Sequence, residues 1–198
     1  MARLVRTAMD DATHALLDVD ARRAETVIAG DLEVDRLQTR IEEQTLQQLA
    51  LQQPVAGDLR VLIAALRMVG ELERMGDLAR HVAKIARRRH PDPAVPEALR
   101  GNIAKMGSVA DDMVARIIRT IESKDVDRAT SLIAADDDMD QLRRQQFRKL
   151  LAEDYDEGVE VAIDMALLGR YYERFADHAV SLARRVIYLV TGVLPDKP

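Results

Sequence analysis

The stretch ELERMGDLA, residues 71–79, returns near the far end of the chain as YYERFADHA, residues 171–179. In each copy a Glu and an Asp four residues apart stand among apolar residues at helical spacing. At an offset of 100, Glu73, Arg74, Asp77, Ala79 and Ala83 meet Glu173, Arg174, Asp177, Ala179 and Ala183. Working outward, the turn at Asp18-Val19-Asp20 matches the turn at Ser123-Lys124-Asp125. From there the offset is 105: Asp20, Arg23, Ala24, Ile28, Ala29, Asp31, Asp35 and Leu37 meet Asp125, Arg128, Ala129, Ile133, Ala134, Asp136, Asp140 and Leu142. So many identities between positions 20 and 37 exceed what shared helical composition supplies. The change of offset puts a length difference in the loop between the second and third helices. The chain reads as a tandem duplication of a three-helix unit.

Composition agrees with that reading. Of 198 residues 47% are hydrophobic, yet only four are Tyr and two Phe, and there is no Trp. Few aromatics among many Ala, Leu, Arg and Glu favour long helices over sheets. The apolar residues recur at helical spacing between breaks at Pro54, at HPDPAVP from His90 to Pro96, and at Gly158. They predict six helices, at about 2–17, 20–52, 55–89, 96–123, 126–153 and 158–191. The expected architecture is all-α: two tandem three-helix bundles of spectrin-like, up-down form with an internal pseudo-twofold. The first repeat is 1–90, the Pro-rich linker 91–96 and the second repeat 97–198. Units this small are expected to share one continuous core. The first helix is about half as long as its neighbours, so either the bundle tapers or the N-terminus is incomplete.

The same numbers exclude several functions. A net charge of −5 with scarce aromatics offers neither a basic track for phosphates nor a platform for bases, which argues against nucleic acid. No apolar run approaches the roughly 20 residues of a membrane span, and no leader pattern is present, so a cytoplasmic location is expected. Without cysteine, a metal would have to be held by carboxylate, imidazole, carbonyl or water.

The decisive oddity is where the acids lie. On the third helix Leu59, Leu62, Ile63 and Leu66 define an apolar stripe, and Glu73 and Asp77 fall on its line. On the second helix Asp31 and Asp35 sit within the stripe of Val27, Ile28, Leu46 and Leu49. In the second repeat Asp136 and Asp140 follow Leu132 and Ile133, while Glu173 and Asp177 follow Ile163 and Ala166. Carboxylates at i and i+4 repel, and burying them unpaired costs several kcal/mol. Arg74 and Arg174 point about 100° away from the adjacent Glu, and no repeated arginines are evident on the facing stripe. Four carboxylates from two adjacent helices suit a hard or borderline cation, and bridging carboxylates allow more than one ion. The competing reading is a set of solvated acidic faces on a loosely packed bundle. His81, His178 and Glu42 are weaker candidates, because Ser181, Leu78 and Phe147 replace them in the other copy. The run Arg87-Arg88-Arg89-His90 closes the third helix, where cations suit the dipole, with a docking patch as the alternative. No recurring nucleophile and base, Gly-rich phosphate loop, HExxH or ExxH appears, so no catalytic residue is expected.

With these features in hand the chain resembles the PhoU family of phosphate-uptake regulators. The resemblance rests on ALQQPVAGDLRVLIAALRMVGELERMGDLA (50–79), GDLEVD (30–35) and YYERFADHA (171–179), and HVAKIARRRHP (81–91) is similar to the actinobacterial branch. It implies a non-enzymatic cytoplasmic repressor of phosphate-specific ABC import and of phosphate-starvation two-component signalling. The implied partners are the transporter's ATPase subunit and the phosphate-sensing histidine kinase, with a homodimer expected and the membrane reached only through partners. It also implies metal ions, whether iron, zinc, manganese or magnesium, on Asp31, Asp35, Glu73 and Asp77, and on Asp136, Asp140, Glu173 and Asp177. From other classes, the chain would be a metal-independent helical scaffold with a co-chaperone-like role, or a carboxylate-bridged di-metal oxidase.

Overall fold

The two copies of the duplicated turn fold alike. Val19 and Lys124 both adopt left-handed backbone, with φ of 57° and 54°. The next residue in each caps the helix that follows: Asp20 accepts from the Arg23 amide at 3.0 Å and Asp125 from the Arg128 amide at 3.1 Å. Each carboxylate thereby satisfies one of the free amides of a helix N-terminus. The computed structural model describes residues 1–133, 137–153 and 155–195. Among these are seven helices: α1 (Ala2–Leu17), α2 (Ala21–Gln52), α3 (Ala56–Arg89), α4 (Glu97–Ser123), α5 (Val126–Ile133), α6 (Asp137–Leu150) and α7 (Val159–Thr191). The single helix expected over 126–153 is described as α5 and α6, and it ends at Leu150 instead of running to 153. Gly192, at φ 80°, closes α7 in a conformation that glycine adopts without steric cost.

In the first repeat α1, α2 and α3 pack on one another, and in the second α4, α5 and α6 pack around α7. The repeats join along two seams, α3 against α7 and α1 against α4. The central helices run antiparallel: His81 of α3 stacks on Tyr171 of α7, while Glu71 meets His178. Met75, Leu168, Tyr172 and Phe175 are fully buried along this seam, and the apolar residues of both repeats form one cluster. Burying such a side chain is worth about 1.5–3 kcal/mol, so the seam stabilises the two repeats as a unit. The Pro-rich connection takes part in the packing, since Ala94 and Val95 are buried within the cluster.

The bundle thins at one end. α1 has 16 residues against 32 in α2, so it covers only the parts of α2 and α3 near its own turn. Beyond its reach the stripe continues without cover: Leu46, expected inside, is 59% exposed, and Leu59 is 40% exposed.

Candidate functional site: acidic pairs and their arginine partners

Where α2 and α3 cross, Gly76 brings the helices close. A Cβ at that position would lie 3.2 Å from Val34 Cγ1 and 3.3 Å from Asp31 Oδ1. The absence of a side chain lets the Asp31 carboxylate settle against α3, where it is buried. Asp77 and Glu73 flank it from α3, with about a quarter and a fifth of each side chain exposed. Asp35, one turn further along α2, faces solvent. Burial raises the Asp31 carboxyl above its ordinary range. The Arg80 charge opposes the shift, and Asp35 and Asp77 reinforce it. Glu73 is raised for the same first reason, with Asp77, Asp35 and Asp31 adding and Arg74 opposing. The four acids of the first repeat therefore share one electrostatic neighbourhood.

That neighbourhood also holds a cation that spacing along the sequence did not expose. The Arg80 guanidinium spans the crossing: Nη1 lies 2.8 Å from Asp31 on α2, and Nη2 donates to Asp77 on its own helix. Arg74 lies further off, 3.6 Å from Glu73 and 3.8 Å from Asp77. The expectation that Arg74 points away from the pair is corrected by these two approaches, while Arg80 is an arginine that does not repeat, since its counterpart is Val180. Arg80 sits three residues after Asp77, a spacing at which helical side chains meet, and that was the available signal.

The second repeat is neutralised differently. Glu173 receives Arg143 of α6 at 2.9 Å and Arg170 of α7 at 2.6 Å. Asp140 pairs with Arg144 at 3.3 Å and keeps nearly half of its side chain exposed. Asp177 opens to solvent, and its carboxyl is raised by partial desolvation first and by Glu173 second. Asp136 lies outside the described residues.

The donor chemistry fits a hard or borderline cation, since every side chain offered is a carboxylate. The present side-chain positions are not those of a finished cage. Among the described residues no three His, Asp or Glu converge on one point. Any ion would be held only after Arg80 and the acids re-aim.

The remaining candidates have other partners. His178 Nδ1 lies 2.7 Å from Glu71, and His81 stacks on Tyr171 with its imidazole pushed down by burial and by Lys84 and Arg80. Glu42 accepts from Gln38 at 3.0 Å. The Arg87–Arg89 run is an interhelix clamp: Arg87 meets Glu25, while Arg88 and Arg89 both reach Asp164, which is 2% exposed on the first turns of α7.

The features define a class: a duplicated all-α bundle protein whose two repeats carry acids four residues apart in matching places in the sequence. The chain belongs to the PhoU family, whose domain matches residues 1–86 and again 103–186. It is 47% identical over 195 residues to the "Phosphate-specific transport system accessory protein PhoU homolog 2" of Mycobacterium tuberculosis, covering 98% of this chain and 92% of that one. It is 45% identical over 196 residues to the PhoU homolog 1 of Mycobacterium leprae, covering 99% and 88%. The crystal structure of PhoU from Pseudomonas aeruginosa superimposes with a TM-score of 0.91 at 31% identity, over 98% of this chain and 93% of that one. The similarity to mycobacterial proteins agrees with the actinobacterial branch expected from residues 81–91.

Proposed function

We propose that this chain is a cytoplasmic regulator that restrains a phosphate-specific ABC importer and the phosphate-starvation two-component response. It acts by contact with the importer's ATPase subunit and the sensor histidine kinase. The observation that carries this reading is the PhoU domain matched in both repeats, along a chain whose relatives are named as accessory proteins of phosphate-specific transport. Accessory proteins of that kind act by binding rather than by turnover. Consistent with access to a partner at the cytoplasmic face, no helix among the described residues is long and apolar enough to cross a membrane.

In this reading the acidic pairs bind metal ions: Glu73 and Asp77 with Asp31 and Asp35, and Glu173 and Asp177 with Asp136 and Asp140. A bound cation would add positive charge beside Asp35 and Asp177, the exposed acids that no arginine pairs with among the described residues, and the long helices would hold the resulting surface rigid for a partner. The support is the repetition of the acids in both copies and the grouping of Glu73 and Asp77 beside the buried Asp31 where α2 and α3 cross. A homodimer belongs to the same proposal.

The test is genetic and chemical together. Deleting the gene in phosphate-replete cells is expected to raise phosphate uptake and to switch on the starvation response. Asp77→Asn with Asp177→Asn is expected to lower the metal content of purified protein and to weaken capture of the ATPase subunit and the kinase. Unchanged uptake and signalling on deletion would refute the regulatory reading. Unchanged metal content would refute the metal assignment alone.

A further inference from the structure

The second repeat carries on α6 a face that the first repeat lacks. Arg143, Arg144, Phe147, Arg148 and Leu151 line one shallow groove of about 510 Å³, and no carboxylate is among them. At the offset of 105 their counterparts on α2 are Gln38, Thr39, Glu42, Glu43 and Leu46. The leucine is kept, while two neutral and two acidic side chains stand where the second repeat has three arginines and a phenylalanine. On a chain with a net charge of −5, that difference singles out a basic face beside exposed apolar side chains.

Packing shapes this face without covering it. Arg143 is held by Glu173 at 2.9 Å and sets its guanidinium 5.3 Å from the centre of the Phe147 ring, an attractive contact that keeps the ring in place. Arg144 reaches Asp140 at 3.3 Å with two thirds of its side chain exposed, and Arg148 is exposed with no ion pair among the described residues. Leu151 is 80% exposed. The apolar part continues on α7. Arg143 meets Glu173 and Gln146 sits against Gly169, so the antiparallel register brings Leu167 and Ile163 alongside Phe147 and Leu151. Both α7 side chains are exposed, at 38% and 54%. An apolar strip therefore follows the two helices, with arginines along its α6 edge.

Arginines beside exposed apolar side chains suit an anionic bilayer or an acidic segment of another protein. The end of the strip decides between them. Glu153, Asp156, Glu157 and Glu160 are exposed at the turn between α6 and α7, next to Leu151 and Ile163. A flat anionic surface that received these apolar side chains would meet the four acids as well. A single helix, roughly 10–12 Å across with its side chains, can lie along the strip and leave the acidic turn in water.

We propose that the α6–α7 strip is a docking site for a partner protein, and that its occupant is a helical segment with an apolar stripe flanked by acidic side chains. The stripe seats on Phe147, Leu151, Ile163 and Leu167, and the acids pair with Arg144 and Arg148. Arginines and aromatics carry much of the binding energy at such interfaces, and charge complementarity selects the partner. The matching face of the first repeat has Glu42 and Glu43 in place of Phe147 and Arg148 and repels the same segment. One chain thus offers a single site of this kind despite its duplication. The proposal rests on the reading that the chain acts by binding a partner, and it is independent of the metal assignment.

The experiment titrates the full chain into a fluorescein-labelled synthetic helix of about 14 residues, four turns, with leucines along one stripe and glutamates beside them, and reads anisotropy. Two control peptides carry lysine for each glutamate or serine for each leucine, and each is expected to bind about tenfold more weakly. Arg144→Glu with Arg148→Glu is expected to weaken the acidic helix about tenfold or more, and Leu151→Ser about threefold, while Arg36→Glu with Arg40→Glu, the same charge change on α2, stays within about twofold. Where charge reversal unsettles α6, Arg144→Gln with Arg148→Gln gives the same reading. No binding of the acidic helix, equal binding of the lysine peptide, or indifference to the changes at 144 and 148 overturns the proposal. Sedimentation with phosphatidylglycerol vesicles that the double variant loses would assign the face to a lipid surface and overturn it as well. The importer's ATPase subunit and the sensor kinase are then captured from phosphate-replete cells on the unmodified chain and on the double variant, which is expected to lose at least one of them. Equal capture on both overturns the docking role and leaves the regulatory reading standing. Capture on neither overturns the regulatory reading, and the peptide titration then decides the face by itself.

Discussion

The hydroxyls of Thr13 and Tyr172 lie 2.8 Å apart, both buried, and tie the first helix of one repeat to the last helix of the other. The bond is unequal in its consequences. Thr13 also donates to the Met9 carbonyl oxygen at 2.8 Å, so it keeps a partner if Tyr172 changes. Among the described residues Tyr172 has only Thr13, and its complete burial pushes the phenol far above its ordinary range. Thr13→Val is therefore expected to destabilise by about 1–3 kcal/mol, because it strands a buried hydroxyl. Tyr172→Phe should cost less than about 1 kcal/mol. Urea denaturation of the two variants checks the asymmetry, and equal losses would contradict it.

The same Thr13 sets how close α4 can come. A Cβ at Gly107 would lie 2.6 Å from Thr13 Cγ2 and 3.0 Å from its Oγ1. The neighbour cannot rotate away without breaking both hydrogen bonds, and its β-branching restricts χ1. Gly107→Ala is expected to lose about 1–3 kcal/mol despite the better helix propensity of alanine. Adding Thr13→Ser, which removes the methyl and keeps the hydroxyl, should recover part of that loss. A double-mutant cycle by thermal melting measures the coupling, and strict additivity would rule out the contact as the cause.

Asp164 anchors the end of α3 to the start of α7. It accepts from Arg89 Nε at 2.6 Å and from Arg88, and at 2% exposure it has no water to replace them. Asp164→Asn keeps the shape but removes the charge that two arginines share. The expected loss is about 2–3 kcal/mol, because Arg89 is itself largely covered while Arg88 can return to solvent. Equilibrium unfolding would show this as a lower midpoint, and an unchanged midpoint would mean that the clamp contributes nothing net.

How much of this was legible beforehand follows from what kind of signal carried it. The duplication, the matching turns that end at Asp20 and Asp125 and the up-down bundle are written in local spacing, which a single sequence displays. The acids at 31, 73, 77 and 173 stood out because charge interrupts an apolar period. Exposure along the stripe did not follow the same rule. Asp35 and Asp177 face solvent, because cover depends on the reach of a neighbouring helix and not on the period of their own. The cations were missed for a related reason. Arg80 and Arg170 lie three residues from their partners, but Arg143 meets Glu173 from another helix, and no repeat of the sequence marks it. Thr13 and Tyr172 have Ile118 and Leu72 as counterparts. A bond made once between two repeats leaves no trace in the comparison of those repeats.

A further α1–α4 tie carries a pH signature. Arg6 meets Asp111 through two bonds, Nε at 2.6 Å and Nη2 at 2.8 Å. That pairing holds the Asp111 carboxyl below its ordinary value of 3.8, against the opposing effect of burial. A depressed carboxyl binds its proton less readily in the folded chain than in the unfolded one. Its contribution is therefore present above 3.8 and is lost as pH falls through the depressed value. Asp111→Asn is expected to lower the melting temperature at pH 7, and that deficit should shrink as pH drops below 3.8. Arg6 is 41% and Asp111 34% exposed, so salt should weaken the pair at neutral pH. Melts of both proteins across this range, in low and high salt, follow the difference directly. A deficit that stays constant from neutral to acid would show that the lost contact is packing and not charge.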